Sequence, residues 1–526
     1  MYYYYFVSVD TGTCARSICN LVYIYRKGKN AMYPALSVPA FYSGKSVFIT
    51  GATGFLGKAL IEKLLRSCPN IKEIFLLMRA KNDTNIDERL RQLLTNPLFD
   101  TLRHEQPHCF DKLIPVEGDL GLEGLGLSAA DRDTLIEKTS VIFHGAASVK
   151  FDNTLRDAVI TNVRSTRDIC ILSKQMKNLA VLIHISTAYT QVDKPVVDEI
   201  VYPGEVDWKK TIRVVEALDE GLVELFKSKY IGTLPNHYIF SKKLAEQVII
   251  DYSGSLPCVI CRPSIVTPML KDPLKGWLDN FNGPVAMYIA SGKGILKLLH
   301  QSPSAFDNYV PIDIVIKALI VAASKHGSKM INTQDNLPAV YNCTGNHTMR
   351  PGRKMMSKIA ALISKKIPYE GMIWAPGHIM ITNPSLYQLL MIVLIVIPSC
   401  FIDGLLRLSG RQPRLLKLQR NIFITNRTYA YFTMKNWEFR NEKMSSLSDE
   451  LSIDDQRDFG YTADLVYDKT TYVENNVIGS KIYLLNESMD RLDAAKLHYN
   501  RMIWIDRIVK VLAAILFMGA IYGTIV

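Results

Sequence analysis

Between Lys45 and Ile265 the chain alternates short, unbroken apolar runs with stretches in which apolar residues recur every three or four positions. The runs are SVFITG (46–51), IFLLMR (74–79), LIPVEGD (113–119), VIFHGA (141–146), AVLIHIST (180–187) and CVICRPS (258–264). A strand that is apolar on both faces must be covered on both faces, which is the condition of a parallel sheet held between helical layers. The pattern therefore predicts an α/β fold with a doubly wound parallel sheet. Residues 266–368 are rich in Pro and Gly at first, then mixed, and read as a substrate-facing continuation of the same domain.

The pattern changes after that. No Asp, Glu, Lys or Arg occurs from Gly371 to Ile402, and the densest part is LYQLLMIVLIVIPSCFI (386–402). Pro398 is expected to kink or break any helix there. The C-terminus, VLAAILFMGAIYGTIV (511–526), is the second such segment. As a helix it reaches only about 24 Å, short of a hydrocarbon core of about 30 Å, but Ile503 to Ile508 extend it and Arg507 and Lys510 can snorkel at its edge. The residues between, 403–510, are charged and helical in pattern and predict a smaller, mainly helical second domain.

A chain of 526 residues exceeds one hydrophobic core, so two or three domains are expected. With 48% hydrophobic and 21% charged residues it is not a disordered polymer, and a net charge of +12 suits partners that carry phosphates or an anionic membrane. Nucleic acid is not expected, because no cluster of Lys and Arg interleaved with aromatics falls on one face. The nine cysteines are scattered. The close pair, Cys258 and Cys261, lies in a strand-like run where side chains three apart face opposite ways, so neither a metal nor a redox role is assigned, and a reducing compartment fits best. The first residues lack the basic start of a secretory signal. Nothing before Phe41 reads as part of the fold, and residues 1–40 are expected to be a disordered extension.

Three glycines in ITGATGFLGKAL (49–60) carry the first chemistry. They follow a strand and open an amphipathic helix, the context in which one glycine makes a tight turn, one admits a pyrophosphate and one lets helix pack on strand. The spacing T-G-x-x-G-x-x-G runs from Thr50 through Gly51 and Gly54 to Gly57. With Thr53, Phe55 and Leu56, these residues are assigned to a dinucleotide on a Rossmann-type sheet. The second strand ends in Arg79, with Lys81 close by, where an acid would select NAD; a cation there accommodates a 2′-phosphate, which predicts NADPH. Asp119, Leu120, Ala146 and Ala147 end later strands on the same edge, and Pro263, Ser264 and Ile265 follow the sixth.

YIFSK places Tyr238 and Lys242 four apart, neighbours on a helix. An ammonium beside a phenol lowers its pKa from about 10, which would let Tyr238 deliver a proton while a nicotinamide delivers hydride. The hydroxyl of Ser186 or Thr187, at the end of the fifth strand, is positioned to stabilise a developing oxyanion, with Thr187 the preferred donor. His144 and His184 lie in apolar strands and read as satisfied core residues.

Together these motifs resemble the extended short-chain dehydrogenase/reductases, and within them the alcohol-forming fatty acyl-CoA reductases of male-sterility type, most of all the insect branch. The resemblance is carried by residues 41–69, 144–168, 184–191 and 234–247, then by CRPSIV (261–266), GWLDNFNGP (276–284) and NYVPIDIVIKALI (308–320). In the C-terminal part RQPRLLKLQRNI (411–422), NWEFRN (436–441) and DFGYTADLVYD (458–468) continue it. The resemblance implies NADPH-dependent reduction of a long-chain acyl-CoA to a primary alcohol through an aldehyde, with Tyr238, Lys242 and the strand-five hydroxyls as the catalytic set and no metal. It departs from the family at His237, Ser241 and Ser165, none of which removes a reactive group.

The organisation expected is then an extension (1–40), an NADPH-binding reductase domain (41–370), a hydrophobic membrane-associated segment (371–402), a C-terminal reductase-family domain (403–502) and a membrane anchor (503–526). Segment 386–402 would span, dip into one leaflet or line an acyl tunnel. Four basic residues in 411–420 suit a cytosolic membrane surface, so the catalytic domain is expected to face the cytosol, on the endoplasmic reticulum before the peroxisome. A steroid or sugar-nucleotide oxidoreductase on the same sheet would not need the C-terminal part. A non-catalytic NADPH-binding scaffold would not need Tyr238, Lys242 or the strand-five hydroxyls.

Overall fold

The computed structural model describes residues 37–525 apart from 82–83, 150, 152, 329–336 and 347–349. The expected disordered extension, at residues 1–36, lies outside the described residues. Among the described residues seven parallel strands form one sheet. They are β1 (Ser46–Thr50), β2 (Glu73–Met78), β3 (Leu113–Glu117), β4 (Thr139–His144), β5 (Val181–Ile185), β6 (Cys258–Cys261) and β7 (Ala339–Tyr341). Their order is β3-β2-β1-β4-β5-β6-β7, with every pairing parallel. The six strands expected from the apolar runs are all present. The seventh is only three residues long, AVY, and too short to announce itself.

Strands β1, β4, β5 and β6 are buried along their whole length, as doubly covered strands must be. One layer contains α1 (Phe55–Ser67) and α3 (Ile312–Gly327), the other α2 (His237–Ser253). From Ile312 to Ser324 every residue of α3 is buried, so this helix serves as a core element and not as a surface one. The strand order reverses between β1 and β4, and the crevice at the carboxyl ends of strands on either side of such a switch is where doubly wound sheets bind ligands.

Two expected boundaries move. Val38 and Tyr42 are buried in the reductase core, the Val38 amide donates to Asp455 Oδ2 at 2.9 Å, and the Tyr42 hydroxyl donates to the Ile320 carbonyl at 3.1 Å. The packed chain thus begins before Phe41. Nor do residues after 403 build a core of their own: Met444, Leu447, Phe459, Tyr461 and Tyr472 join the cluster beneath α1 and α3. Glu199 ties the two parts together. Its carboxylate accepts the amides of Asn342 at 3.0 Å, Met444 at 2.9 Å and Lys443 at 2.5 Å.

One helix among the described residues, Pro384–Leu408, is long and apolar enough to cross a membrane, with a mean hydropathy of 2.6 over its most apolar part. Pro398 does not end it. A π turn at Ile392–Val396 ends two residues before the proline, and a wider turn of this kind is a usual way for a helix to absorb an irregularity. It is followed by α4 (Leu415–Thr433) and α5 (Lys469–Gly479), and the chain closes with α6 (Leu492–Ile525). Lys510, expected to snorkel, pairs with Asp506 at 2.6 Å, and Asp506 also accepts the Trp374 indole at 2.5 Å.

Candidate functional site

A cleft of about 1130 Å³ opens at the carboxyl edge of the sheet and runs from the turn after β1 to α4. The glycine turn forms one end. Gly51 has φ of +79°, and a Cβ there would lie 2.8 Å from the Ala146 nitrogen. A Cβ on Gly57 would meet the Gly51 carbonyl oxygen at 2.2 Å, so both positions require glycine. Gly54 is the N-cap of α1 and no side chain caps that helix. Among the described residues no partner takes the amides of its first turn, and Phe55, Leu56 and Gly57 line the cleft, which is a phosphate cradle.

Thr50 lines the cleft, yet its hydroxyl is engaged inside the fold: it bonds His144 Nδ1 at 2.8 Å and accepts the Ala146 amide at 3.1 Å. It positions the β4 loop against the glycine turn. Thr53, Phe55, Leu56, Ala146 and Ala147 also line this part.

At the sheet's β2–β3 edge stand Arg79, Lys81, Asp119 and Leu120. The Arg79 guanidinium is largely exposed and lies 3.7 Å from Asp119 Oδ2. Arg89 donates to the Arg79 carbonyl and lines the cleft as well. The sequence reading missed Arg89, whose only signal is its place on the helix that follows the basic turn.

Tyr238 sits in the first turn of α2, where the Asn236 side chain caps the helix by accepting the Ile239 amide at 2.9 Å. Thr187, in extended conformation just beyond β5, donates to the Pro263 carbonyl at 3.4 Å and accepts the Tyr189 amide at 3.4 Å, and it lines the cleft together with Tyr238. Burial pushes the Tyr238 pKa up to about 12, with the Thr187 hydroxyl opposing. Lys242 is buried, and its ammonium donates to the Ile185 carbonyl at 2.7 Å. This corrects the expectation that Lys242 acidifies the phenol: its four-carbon stem carries the charge to the end of β5, and the phenol stays protonated. Burial in turn lowers Lys242 to about 8, with Glu246 opposing.

Ser186 and Thr187 are adjacent but face opposite ways. Ser186 donates to Glu246 Oε1 at 2.5 Å, inside a fully buried Arg262–Glu246 ion pair of 2.8 Å, and lies off the cleft wall. Pro263 is also off the wall; its carbonyl accepts the Ala188 amide at 2.9 Å. Ser264 and Ile265 do line the cleft, and the Ser264 hydroxyl is buried without a partner among the described residues. His144 is satisfied by Thr50 and by Thr166 at 3.0 Å, and burial holds it near 3. His184 differs from expectation: it packs against His144 at 5.4 Å with neither ring nitrogen hydrogen-bonded among the described residues.

Beyond Tyr238 the wall is aromatic. Phe151 lies 5.8 Å from Tyr238, 5.6 Å from Tyr429 and 5.9 Å from Phe432, ring centre to ring centre. Tyr429 and Phe432 belong to α4, so the C-terminal part of the chain completes the cleft. Lys58 of α1 reaches Asp279 at 2.5 Å along the same cavity. None of these contacts follows a local motif, since the partners lie between 87 and 281 positions apart.

With that geometry in place, comparison with known proteins is informative. Two family models, both described as male sterility protein, match residues 49–319 and residues 394–487. Fatty acyl-CoA reductase 1 of Xenopus laevis is 40% identical over 469 residues, covering 89% of this chain and 90% of that protein. Its Homo sapiens counterpart is 39% identical over the same length and coverage. Fatty acyl-CoA reductase 2 of Mus musculus is 36% identical over 465 residues, 88% of this chain and 89% of that one. Among solved structures, the terminal R domain of the myxalamid PKS-NRPS pathway superposes with a TM-score of 0.57 at 17% identity, over 85% of this chain and 93% of that one. The reductase domain of a nonribosomal peptide synthetase from Mycobacterium tuberculosis gives 0.55 at 16%, over 86% and 94%. The structural likeness concerns the fold.

Proposed function

The chain belongs to the male sterility protein family, and from that premise we propose that its cleft reduces a fatty acyl-CoA to a primary fatty alcohol and free coenzyme A, consuming two NADPH through an aldehyde. The observation that carries this reading is the placement of the Tyr238 phenol and the Thr187 hydroxyl in one cavity with the uncapped glycine turn, beside an aromatic wall suited to an acyl chain.

The cleft residues fit a nicotinamide dinucleotide. A cradle that a Cβ on Gly51 or Gly57 would fill, an uncapped α1 and the orphaned Ser264 hydroxyl are what a pyrophosphate and its sugars would satisfy. Arg79, with Lys81, is assigned to the 2′-phosphate, and Lys242 to the nicotinamide ribose. When bound, NADPH supplies the hydride. The chain's own residues do the rest. Thr187 and Tyr238 donate hydrogen bonds to the thioester oxygen and stabilise its negative charge as the carbonyl becomes tetrahedral. That charge then re-forms a carbonyl and expels coenzyme A thiolate, a good leaving group. In the second reduction Tyr238 gives its proton to the alkoxide. A phenol with a raised pKa suffices, because an alkoxide is far more basic than a phenolate. No step needs a cysteine, and among the described residues no cysteine lines the cleft that holds Tyr238 and Thr187.

The same reading makes the protein membrane-bound, with residues 503–526 as its anchor and the reductase domain in the cytosol, where NADPH and acyl-CoA are found; the endoplasmic reticulum is the first compartment to examine and the peroxisome the second. The decisive experiment incubates membranes bearing the protein with NADPH or NADH and a panel of acyl-CoAs, then identifies products. Alcohol formed with NADPH supports the reading. Absence of both alcohol and aldehyde overturns it.

A further inference from the structure

We infer that the apolar helix Pro384–Leu408 does not cross the membrane but lies with α4 as a hairpin in the cytosolic leaflet of an anionic bilayer, as a second foot beside the C-terminal anchor. The inference rests on the membrane-bound reading above and decides between the span, the dip and the tunnel that the sequence left open.

Length alone favours a span: 25 residues make a helix of about 37 Å. The path of the chain forbids it. The Asp403 carboxylate accepts the amides of Arg414, Leu415 and Leu416 at 3.1, 3.1 and 2.9 Å, so it caps the start of α4 from near the end of the preceding helix. Thirty-odd residues apart in sequence, Tyr387 stacks on Phe423 at 6.1 Å and its hydroxyl accepts from Asn426 at 3.1 Å. With 403 against 415 and 387 against 423 and 426, the two helices run antiparallel, and the tip is locked by a carboxylate.

Both open ends of this hairpin are fixed to the same body. Tyr387 packs against His300, ring centres 5.3 Å apart, and Thr433 donates to the His300 carbonyl at 3.0 Å. Phe432 and Thr433 line the cleft itself. If the first helix crossed, α4 would have to cross back carrying Lys417, Arg420, Asn421, Asn426 and Arg427, a load of charge that hydrocarbon rejects. The hairpin therefore leaves and re-enters on the side of the reductase domain.

What covers it is a lipid surface. Leu389, Val393, Ile397, Phe401, Leu405 and Leu408 form a stripe at intervals of three and four residues, all exposed, from 47% at Val393 to 87% at Leu408. Beside this stripe the chain carries seven Lys and Arg and no Asp or Glu from Gly404 to Trp437. Apolar side chains at acyl depth, flanked by cations at headgroup level, are the composition of an in-plane element on anionic lipid. Because α4 also supplies Tyr429 and Phe432 to the aromatic wall at Tyr238, the hairpin holds the mouth of the cleft close to the leaflet.

The test uses the full-length chain with Cys14→Ser and Cys19→Ser. Among the described residues Cys400, on the hairpin, is the exposed cysteine and the others are buried. An environment-sensitive fluorophore on Cys400 is expected to shift to the blue on adding phosphatidylcholine/phosphatidylserine vesicles and to be quenched by lipids bearing a shallow nitroxide. In sealed microsomes, Gln412→Cys in the hairpin turn, combined with Cys400→Ser, is expected to react with a membrane-impermeant maleimide equally well with and without detergent. Reaction only after permeabilisation means a span and overturns the inference. A Cys400 probe that stays water-exposed while the protein still sediments with vesicles also overturns it, and leaves the anchor and the catalytic reading standing. Loss of alcohol formation with both probes behaving as expected would strike the catalytic reading alone.

Discussion

The ammonium of Lys242 donates to the carbonyl of Ile185 at 2.7 Å, so the end of β5, and not the phenol one helical turn earlier, holds the charge. Helix periodicity puts Tyr238 and Lys242 on one face but does not fix where a flexible lysine stem ends. Tyr238 lines the cleft while Lys242 is buried behind it, so under the proposed mechanism the two have separate parts, the phenol as proton donor and the ammonium as a charge held at the end of β5.

This separation has a pH signature. Burial lowers Lys242 to about 8, so it carries its charge below that pH and loses it above. In the free enzyme, kcat/KM for NADPH is expected to fall as pH rises through about 8, because kcat/KM reports ionisations of the uncomplexed protein. Lys242→Arg keeps a charge at all accessible pH and is expected to remove that alkaline limb while lowering the plateau. Initial rates against pH for both proteins check it. A limb at the same position in the arginine variant assigns it to another group.

Tyr238→Phe removes the proton donor and little else, since the ring still packs on Phe151 at 5.8 Å. Loss of a positioned general acid costs roughly 10²–10⁴-fold in turnover. NADPH affinity, followed by fluorescence titration, and the melting temperature are expected to stay near wild type. Retention of full activity would remove Tyr238 from the mechanism.

How far the sequence reached is clear from particular residues. The six long apolar strands and the glycine turn were legible because they are local: β-branched runs, a turn that only glycine can make, a helix opened without a cap. Ser186 was not separable from Thr187 by pattern, since neighbours on extended chain face opposite ways and the pattern does not say which way is in. The aromatic wall at Phe151 and Phe432 and the clamp at Glu199 join distant parts of the chain and leave no periodic trace. The merging of residues 444–472 into the reductase core was hidden for the same reason: a charged, helical composition does not reveal which core its apolar face will join.

Glu199 gives a second pH prediction, on stability. Burial raises its pKa from 4.5 to about 7, with the amides of Asn342, Lys443 and Met444 opposing. Between those values the folded protein keeps a proton that the unfolded chain has released, so the contribution is fully present below the ordinary carboxyl range and is lost as pH climbs through about 7. Glu199→Gln is neutral throughout. Melting temperatures in detergent from pH 5 to pH 8 are expected to fall more steeply for wild type than for the glutamine variant, and parallel curves would dismiss the effect.

The aromatic wall makes the last prediction, on substrate length. Phe432 meets Phe151 at 5.9 Å and Tyr189 at 5.5 Å, and it is delivered by α4 from a part of the chain remote from the glycine turn. Phe432 is half-buried, so an acyl chain packed on it loses at most the roughly 1.5–3 kcal/mol of a fully buried apolar side chain when it is truncated, equivalent to about 10- to 100-fold in binding at about 1.4 kcal/mol per decade. If the wall holds the acyl chain, Phe432→Ala is expected to lower kcat/KM for long-chain acyl-CoAs by up to that factor while leaving the shortest substrates much less affected. The ratio of long- to short-chain kcat/KM is the quantity to measure, because a general loss of folding would lower both alike. An unchanged ratio would place the acyl chain elsewhere in the cleft and leave the aromatic cluster as packing between the two parts of the chain.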